Sequence, residues 1–411
     1  MPPSPPSPVS ASQAPSLLVL ATPDWTGDYM KSTVALTREL AASYRVLYVE
    51  HPPTYTSLGR EALAGSLTDG VRALGRRRAQ VRRVDTAEGR NPIHVLTPPP
   101  VWPMNRLPGA LYDRVLAHNA QRVRRAVQPR LDELSMTSPV VLNALNPHYG
   151  LALTGAFDEQ SRVYYCFDEL RARDWNGRHG GRLEDRYLQR VDAVISSSPG
   201  LHERLSAQHD NAYLVPNGVN FSLFNRAADP ASSPAERAPC IGYVGSLGDR
   251  IDVDLVARLI EAHPEWQFRF VGRVTAPSVR RLDRYEHVTL TGPKPPEALP
   301  DEMRRMDVGL IPFVRNDFTR SIYPLKANEY LAAGLPVVTT AFADLSDLQG
   351  VLSIARTDSR FIGAVEAAVR DRGNKERQRQ RIEVASANRW RHRATDVRTV
   401  LNRTRAAVPS A

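Results

Sequence analysis

The segment Ser321-Ile-Tyr-Pro324-Leu-Lys326-Ala-Asn-Glu329-Tyr330-Leu-Ala-Ala-Gly334-Leu-Pro336-Val-Val338 reads as a helix running directly into a strand. Pro324 suits the helix start, where its missing N–H costs nothing, and Gly334 suits the left-handed residue that closes a helix. The strand begins after Pro336. Outward from this segment, short apolar runs alternate with longer helical patterns along nearly the whole chain. That alternation is the mark of parallel sheets built from βαβ units.

Two such series are present. The first has strands at Leu17–Ala21, Arg45–Val49, Ile93–Leu96, Val140–Ala144, Val163–Phe167, Ala193–Ser196 and Tyr213–Val215, with helices such as Tyr29–Ser43 and Leu111–Leu134. The second has strands at Cys240–Val244, Phe268–Val271, Val288–Thr291, Val308–Pro312, Val337–Thr340 and Val351–Ile354, with helices near Val253–Ala262, Pro296–Met306, Leu325–Ala333 and Arg360–Arg370. The expected organisation is a Pro/Ser-rich disordered tail (1–16), an N-terminal Rossmann-like domain (17–215), a linker (216–238), a second doubly wound domain (239–373) and a basic C-terminal helical segment (374–405). In that segment Ile382, Val384, Trp390, Val397, Val400 and Leu401 supply an apolar face. The fold class is α/β, two facing Rossmann-like domains with a deep cleft, and open sheets of this kind bind ligands at the carboxyl ends of their strands.

The 411 residues contain no apolar run long enough to span a bilayer and no signal-peptide pattern, so a cytoplasmic setting is expected. Cys166 and Cys240 stand far apart without metal-ligand spacing, which argues against a disulfide framework or a zinc site. The net charge of +10 is concentrated, since residues 370–405 hold twelve basic and four acidic residues. A second run, Arg72, Arg76, Arg77, Arg78, Arg82 and Arg83, is free of acids and suits either a solvated surface or contact with an anionic membrane. The arginines are not interleaved with aromatics and no nucleic-acid module is recognisable, so a nucleic-acid partner is not expected.

Three motifs carry candidate chemistry. Gly242-Tyr-Val-Gly245-Ser-Leu-Gly248-Asp-Arg250 is a glycine turn between a strand and the helix starting near Asp252, a place where backbone approaches phosphate oxygens. No acid follows at the end of the next strand, Val271-Gly272-Arg273, which disfavours a dinucleotide. Lys326 and Glu329, three apart, project from one helical turn. A cation there favours a diphosphate and a carboxylate can accept two hydrogen bonds from ribose hydroxyls, although a plain surface ion pair has the same spacing. Tyr164-Tyr165-Cys166-Phe167-Asp168-Glu169 ends a buried strand in two carboxylates; Asp168 is the candidate general base, or alternatively a cap or a partner of Arg171 or Arg173. The loop Thr22-Pro-Asp24-Trp25-Thr-Gly27-Asp28 offers Asp24, Trp25 and Gly27 on the acceptor side. His51 and His148 follow strands and could serve as an acceptor-side acid or base, but a lone histidine is more often structural and neither is counted as catalytic.

With Asn217-Gly218-Val219-Asn220, Thr291-Gly292-Pro293 through Leu299-Pro300, Asp307-Val308-Gly309-Leu310-Ile311-Pro312 and Asn328–Val338, the chain resembles nucleotide-sugar glycosyltransferases of the GT-B fold, family-four type, including those building bacterial exopolysaccharides and teichuronic acids. The resemblance runs from about Leu17 to Leu401. It implies a donor site in the C-terminal domain, with Glu329 on the ribose, Lys326 and Arg250 on the diphosphate, Gly245 at the turn, and Gly292 to Lys294 at the base. It also implies a last helix that crosses back to the N-terminal domain. Many members carry a glutamate where this chain has Ser321, and the Pro-Leu-Lys-x-x-Glu pattern is similar to a branch in which lysine takes the phosphate contact.

The expected function is transfer of a sugar from a UDP- or GDP-sugar to a hydroxyl of a glycan or lipid-linked acceptor, without cofactor or catalytic metal. Peripheral contact with an anionic inner membrane face is the expected location. The alternatives are an epimerase of the same architecture and a non-catalytic sugar-nucleotide or glycan-binding scaffold, which the serine at 321 would suit.

Overall fold

The computed structural model describes residues 14–27, 30–64, 79–86, 89–172, 178–228 and 237–406. The N-terminal tail to residue 13, Asp28, Arg72 to Arg78, Arg173 and linker residues 229–236 lie outside them. No helix among the described residues is long and apolar enough to cross a membrane.

Eight strands form the first sheet: β1 Ser16–Ala21, β2 Arg45–Val49, β3 Gln80–Val84, β4 Ile93–Thr97, β5 Val140–Ala144, β6 Ser161–Cys166, β7 Ala193–Ser196 and β8 Ala212–Leu214. Their order is β3-β4-β2-β1-β5-β6-β7-β8, parallel except for β3. The central strand β1 is buried at all six positions, as expected for a strand covered by helices on both faces.

β3 departs from the expected organisation. Two residues of the anticipated basic surface, Arg82 and Arg83, lie on this antiparallel edge strand, where Arg82 pairs with the buried Glu50 at 2.6 Å and Arg83 with Asp85 at 3.0 Å. Val-Arg-Arg-Val has little apolar alternation, so the strand was invisible in the sequence. Charges on an edge also discourage pairing with another chain.

The second sheet contains β9 Cys240–Val244, β10 Gln267–Val271, β11 Val288–Leu290, β12 Val308–Ile311, β13 Val337–Thr340 and β14 Leu352–Ala355. The order β11-β10-β9-β12-β13-β14 is wholly parallel and reproduces the Rossmann order 3-2-1-4-5-6, so its switch point falls between β9 and β12. The Asp252 side chain caps helix Val253–Ala262 by accepting the Leu255 N–H at 2.9 Å. Helix Leu325–Ala332 closes at Gly334, whose φ is 75°. The Gly334 and Leu335 amides donate to the carbonyls of Leu331 and Tyr330 at 2.9 and 3.0 Å, the paired pattern of a Schellman cap.

The stretch expected as a linker is partly core. Val219, Phe224 and Ala227 are buried in the hydrophobic core of the second domain, and Asn220 caps the short helix Phe221–Phe224. These apolar residues lack helical or strand periodicity, which hid them among Pro, Asn and Ser.

The C-terminal segment forms helices Lys375–Ala387 and Trp390–Ala406. On the first, Arg381 and Ala385 are buried while Ile382 and Val384 are only half-buried, because Arg381 donates to the Gly334 carbonyl at 3.1 Å and to Asp371 at 3.3 Å. On the second, Trp390, Ala394, Val397, Val400 and Leu401 enter the core of the first domain with Leu36 and Leu40. The chain thus crosses between domains at 216–219 and again at 388–390. The crossings touch: the Val219 amide donates to the Asn388 carbonyl at 2.9 Å. Gly218 is required there, since a Cβ would lie 2.9 Å from the Trp390 backbone.

Candidate active site

The carboxyl ends of β9 and β10 and helix Leu325–Ala332 surround a cavity of about 150 Å³ lined by Gly245, Gly272, Pro293, Lys294, Lys326 and Glu329, with Met30 reaching in from the other domain. Its floor is backbone. The Gly245 amide donates to Val271 O at 2.8 Å and the Gly272 amide to Gly292 O at 3.0 Å. Gly272 has φ 150°, and a Cβ on it would sit 1.9 Å from the Gly245 carbonyl oxygen. Only two glycines allow these strand ends to approach so closely.

Lys326 is half-buried and Glu329 is 9% exposed. The lysine Nζ sits 4.9 Å from the ring centroids of both Tyr243 and Phe313. Aromatic faces attract a cation while leaving its N–H donors unused. Neither the Lys326 ammonium nor the Glu329 carboxylate has a hydrogen-bond partner among the described residues. Burial, then the field of Arg250, pushes the Lys326 ammonium below its usual range, with Glu329 opposing. Burial pushes the Glu329 carboxyl up, with Lys326 opposing. A cation and a carboxylate with unused hydrogen-bonding capacity thus face one cavity, an arrangement suited to a ligand bearing both anionic oxygens and hydroxyl donors.

The structure brings together Gly245, Lys294, Lys326 and Glu329, but not every expected residue. Gly292 does not line the cavity and supports it through its carbonyl. Arg250 stands behind it, its guanidinium 5.7 Å from the Phe318 ring centroid, and acts on Lys326 through its field. The Gly245 amide is already bonded to Val271, so this glycine offers close approach and not a free donor. Tyr243, Phe313 and Gly272 were missed in the sequence. Gly272 did carry a signal, a glycine directly after a strand, whereas the aromatic seat joins residues seventy positions apart.

Asp168 follows β6 and lines neither this cavity nor the larger one beside it. Its Oδ1 accepts the Glu169 amide at 3.0 Å, and Arg171 pairs with Asp185 and, at 3.7 Å, with Glu184. On the β1 loop, Trp25 is buried, edge-on to Tyr48 at 5.0 Å, and its amide donates to Glu50 at 2.8 Å. Lys31 donates to the carbonyls of Asp24 and Thr26 at 2.7 and 2.6 Å, and a Cβ on Gly27 would meet its Nζ at 3.0 Å. Of the three acceptor-side residues, Trp25 alone lines a cavity, the larger one. Ser321 is buried at the domain contact, its carbonyl accepting Ser198 Oγ at 2.7 Å. His148 bonds Tyr112, and burial beside His148 lowers the His51 imidazole to about 4.

Residues 238–371 match the family model described as glycosyl transferases group 1. The chain is 28% identical over 295 residues to a protein of Bacillus subtilis (strain 168) assigned as a teichuronic acid biosynthesis glycosyltransferase, the match covering 65% of this chain and 74% of that protein. Among solved structures, sucrose-phosphate synthase from Thermosynechococcus elongatus superposes with a TM-score of 0.67 at 18% identity, covering 96% of this chain and 100% of that one. The catalytic domain of starch synthase IV from Arabidopsis thaliana, bound to ADP and acarbose, gives 0.65 at 13% identity with coverage of 96% and 100%. These two structures share the fold.

Proposed function

From the premise that this chain is a GT-B glycosyltransferase whose residues 238–371 form its group 1 domain, we propose that its donor is a UDP- or GDP-sugar bound in the Lys326–Glu329 cavity. The observation that supports this most is the presence of an unbonded lysine ammonium and an unbonded carboxylate above a glycine floor at the carboxyl ends of β9 and β10. In this reading Glu329 accepts the ribose hydroxyls and Lys294 lies beside the base. Lys326, with Arg250 behind it, carries the negative charge that develops on the departing diphosphate.

The reaction forms a bond from the acceptor hydroxyl oxygen to the anomeric carbon and breaks the bond from that carbon to the phosphate oxygen. The nucleoside diphosphate leaves, and the hydroxyl proton passes to a base; the candidate, Asp168 at the end of β6, lies outside the walls of both cavities and would have to reach the acceptor from there. The acceptor is a hydroxyl of a cell-surface glycan or lipid-linked saccharide, presented at the inner face of the membrane. Supporting that location, Tyr55 and Trp102 are exposed and in contact at 4.9 Å between ring centroids, with Leu111 also exposed and Arg122 bonding Tyr55. An exposed aromatic pair beside arginine suits an anionic lipid interface.

Titrating UDP, GDP and their sugars into the wild type, Lys326→Ala and Glu329→Ala tests the donor site. Selective binding weakened in both variants is the expected result, and no binding by folded wild type refutes it. Product analysis distinguishes transfer from slow acceptor-independent release of free nucleotide, the signature of an epimerase.

A further inference from the structure

Beside the donor cavity lies a larger one of about 480 Å³, walled by helix Ser32–Leu40 of the first domain and by both interdomain crossings. Met30 and Pro296 line both cavities, so their occupants would be neighbours. Its walls carry Lys31, Arg38, Arg90, Arg389 and Arg391 against Glu39 and Glu297. Two of these cations are already engaged: Arg90 pairs with Glu39 at 2.7 Å, and Lys31 holds two carbonyls of the β1 loop.

Arg38, Arg389 and Arg391 have no carboxylate partner among the described residues. Arg38 lies 5.4 Å from the Trp25 ring centroid and Arg389 4.1 Å from that of Phe221. Arg389 donates one bond, to Ser386 Oγ at 2.8 Å, while its buried Nε has no acceptor. A guanidinium laid on an aromatic face is held flat, with its planar fork ready for two oxygens. Against these three stands Glu297, the one lining carboxylate without an arginine partner among the described residues.

We propose that this cavity binds the acceptor through an anionic group, a carboxylate or a phosphate on the acceptor saccharide. The inference rests on the donor assignment made above. It accounts for a basic, aromatic-lined pocket that shares a wall with the donor cavity, and it gives Trp25 a role as the platform under Arg38. The acceptor's charge fixes its position, and its neutral hydroxyl is the group directed across the shared wall.

The full-length protein, saturated with UDP, is titrated by calorimetry with a glucuronic-acid-terminated disaccharide, a sugar 1-phosphate and the neutral glucose-terminated disaccharide. At least one anionic probe should bind ten-fold or more tightly than the neutral one, and whichever does so identifies carboxylate or phosphate as the group read. In the double variant Arg38→Gln/Arg391→Gln, at two exposed positions, and separately in Arg389→Gln, that preference should fall at least five-fold while UDP affinity changes less than two-fold. Equal binding of all three probes with UDP binding intact overturns the proposal. So does a parallel loss of UDP affinity in the variants, which would make the pocket an extension of the donor site. Failure of the wild type to bind UDP brings down the donor assignment instead, and this proposal with it.

Discussion

Replacing Lys326 by Met and Glu329 by Gln together should move ligand affinity and stability in opposite directions, whereas Glu329→Gln alone should lower both. Both groups are penalised by burial in their charged forms, and Lys326 also feels Arg250. Lys326 and Glu329 do not bond each other, so exchanging both for neutral residues of like volume removes two desolvation costs and should be neutral or stabilising, by about 1–4 kcal/mol. The double variant should therefore unfold at the same urea concentration as wild type or higher. Glu329→Gln alone leaves Lys326 facing Arg250 and should cost about 1–3 kcal/mol at pH 7, less than for a fully buried orphan charge because Lys326 is half-buried. Its deficit should shrink as pH rises toward 9. The folded-state pKa of Lys326, about 8, lies below its unfolded value, so as pH rises through it the unfolded chain binds more protons than the folded one, and stability climbs until the unfolded lysine is neutral as well. A hydrogen bond to a charged group is worth about 1.5–3 kcal/mol, and since the glutamine amide keeps one acceptor oxygen, loss of one such bond to ribose in Glu329→Gln should weaken UDP about 10- to 150-fold. Urea unfolding at constant m and UDP calorimetry on the same samples give both quantities. If UDP affinity in Glu329→Gln stays within three-fold of wild type, the ribose assignment is wrong; if the double variant is clearly destabilised, the pair is structural.

Gly272→Ala drives a methyl into the Gly245 carbonyl at a φ that side chains rarely adopt, so it should lose at least about 2 kcal/mol of stability and most UDP binding, read by denaturation and calorimetry. His51 is held neutral in the fold, its pKa lowered from 6.5 to about 4, so stability should fall as pH drops through that interval. His51→Asn should abolish on the order of 2 kcal/mol of that acid-side loss, measured as the difference in urea midpoints between pH 7 and pH 4.5. Neutralising Arg76, Arg77 and Arg78 should reduce pelleting with anionic vesicles at low salt, and absence of pelleting by the intact protein would refute membrane docking.

The α/β class was legible because strands such as Val140–Ala144 and Cys240–Val244 are continuous apolar runs bounded by turns, a signal that survives without tertiary information. Lys326 and Glu329 were legible because their spacing and the adjacent Gly334 are local. What escaped depends on distance in sequence. Tyr243 and Phe313 look like ordinary core aromatics until folding places both around one ammonium. Val219 and Phe224 look like loop residues until the second sheet supplies the surface that buries them. Asp168 shows the converse limit: a carboxylate after a buried strand marks the correct edge of the sheet, but not the wall of either cavity, which depends on how the two domains meet.

How they meet is tied to the donor site through one residue. Asn328 is fully buried on the helix that carries Lys326 and Glu329, directly before the carboxylate. Its Oδ1 accepts Asn388 Nδ2 at 2.9 Å, and its own amide reaches the Asn217 carbonyl and the Tyr323 hydroxyl, each at 3.5 Å. Asn217 in turn donates to the Tyr323 carbonyl at 2.9 Å, and Tyr323 donates to Asp347 at 2.7 Å. Both chain crossings therefore converge on the donor helix through amide groups of which Asn328 and Asn217 are buried and Asn388 is half-buried. Such groups must stay paired or cost about 1–3 kcal/mol each, so the crossings cannot shift far without moving the helix or breaking the network. A ligand that fixes Lys326 and Glu329 also fixes the helix on which the angle between the domains is set, and that angle defines the wall shared by the two cavities.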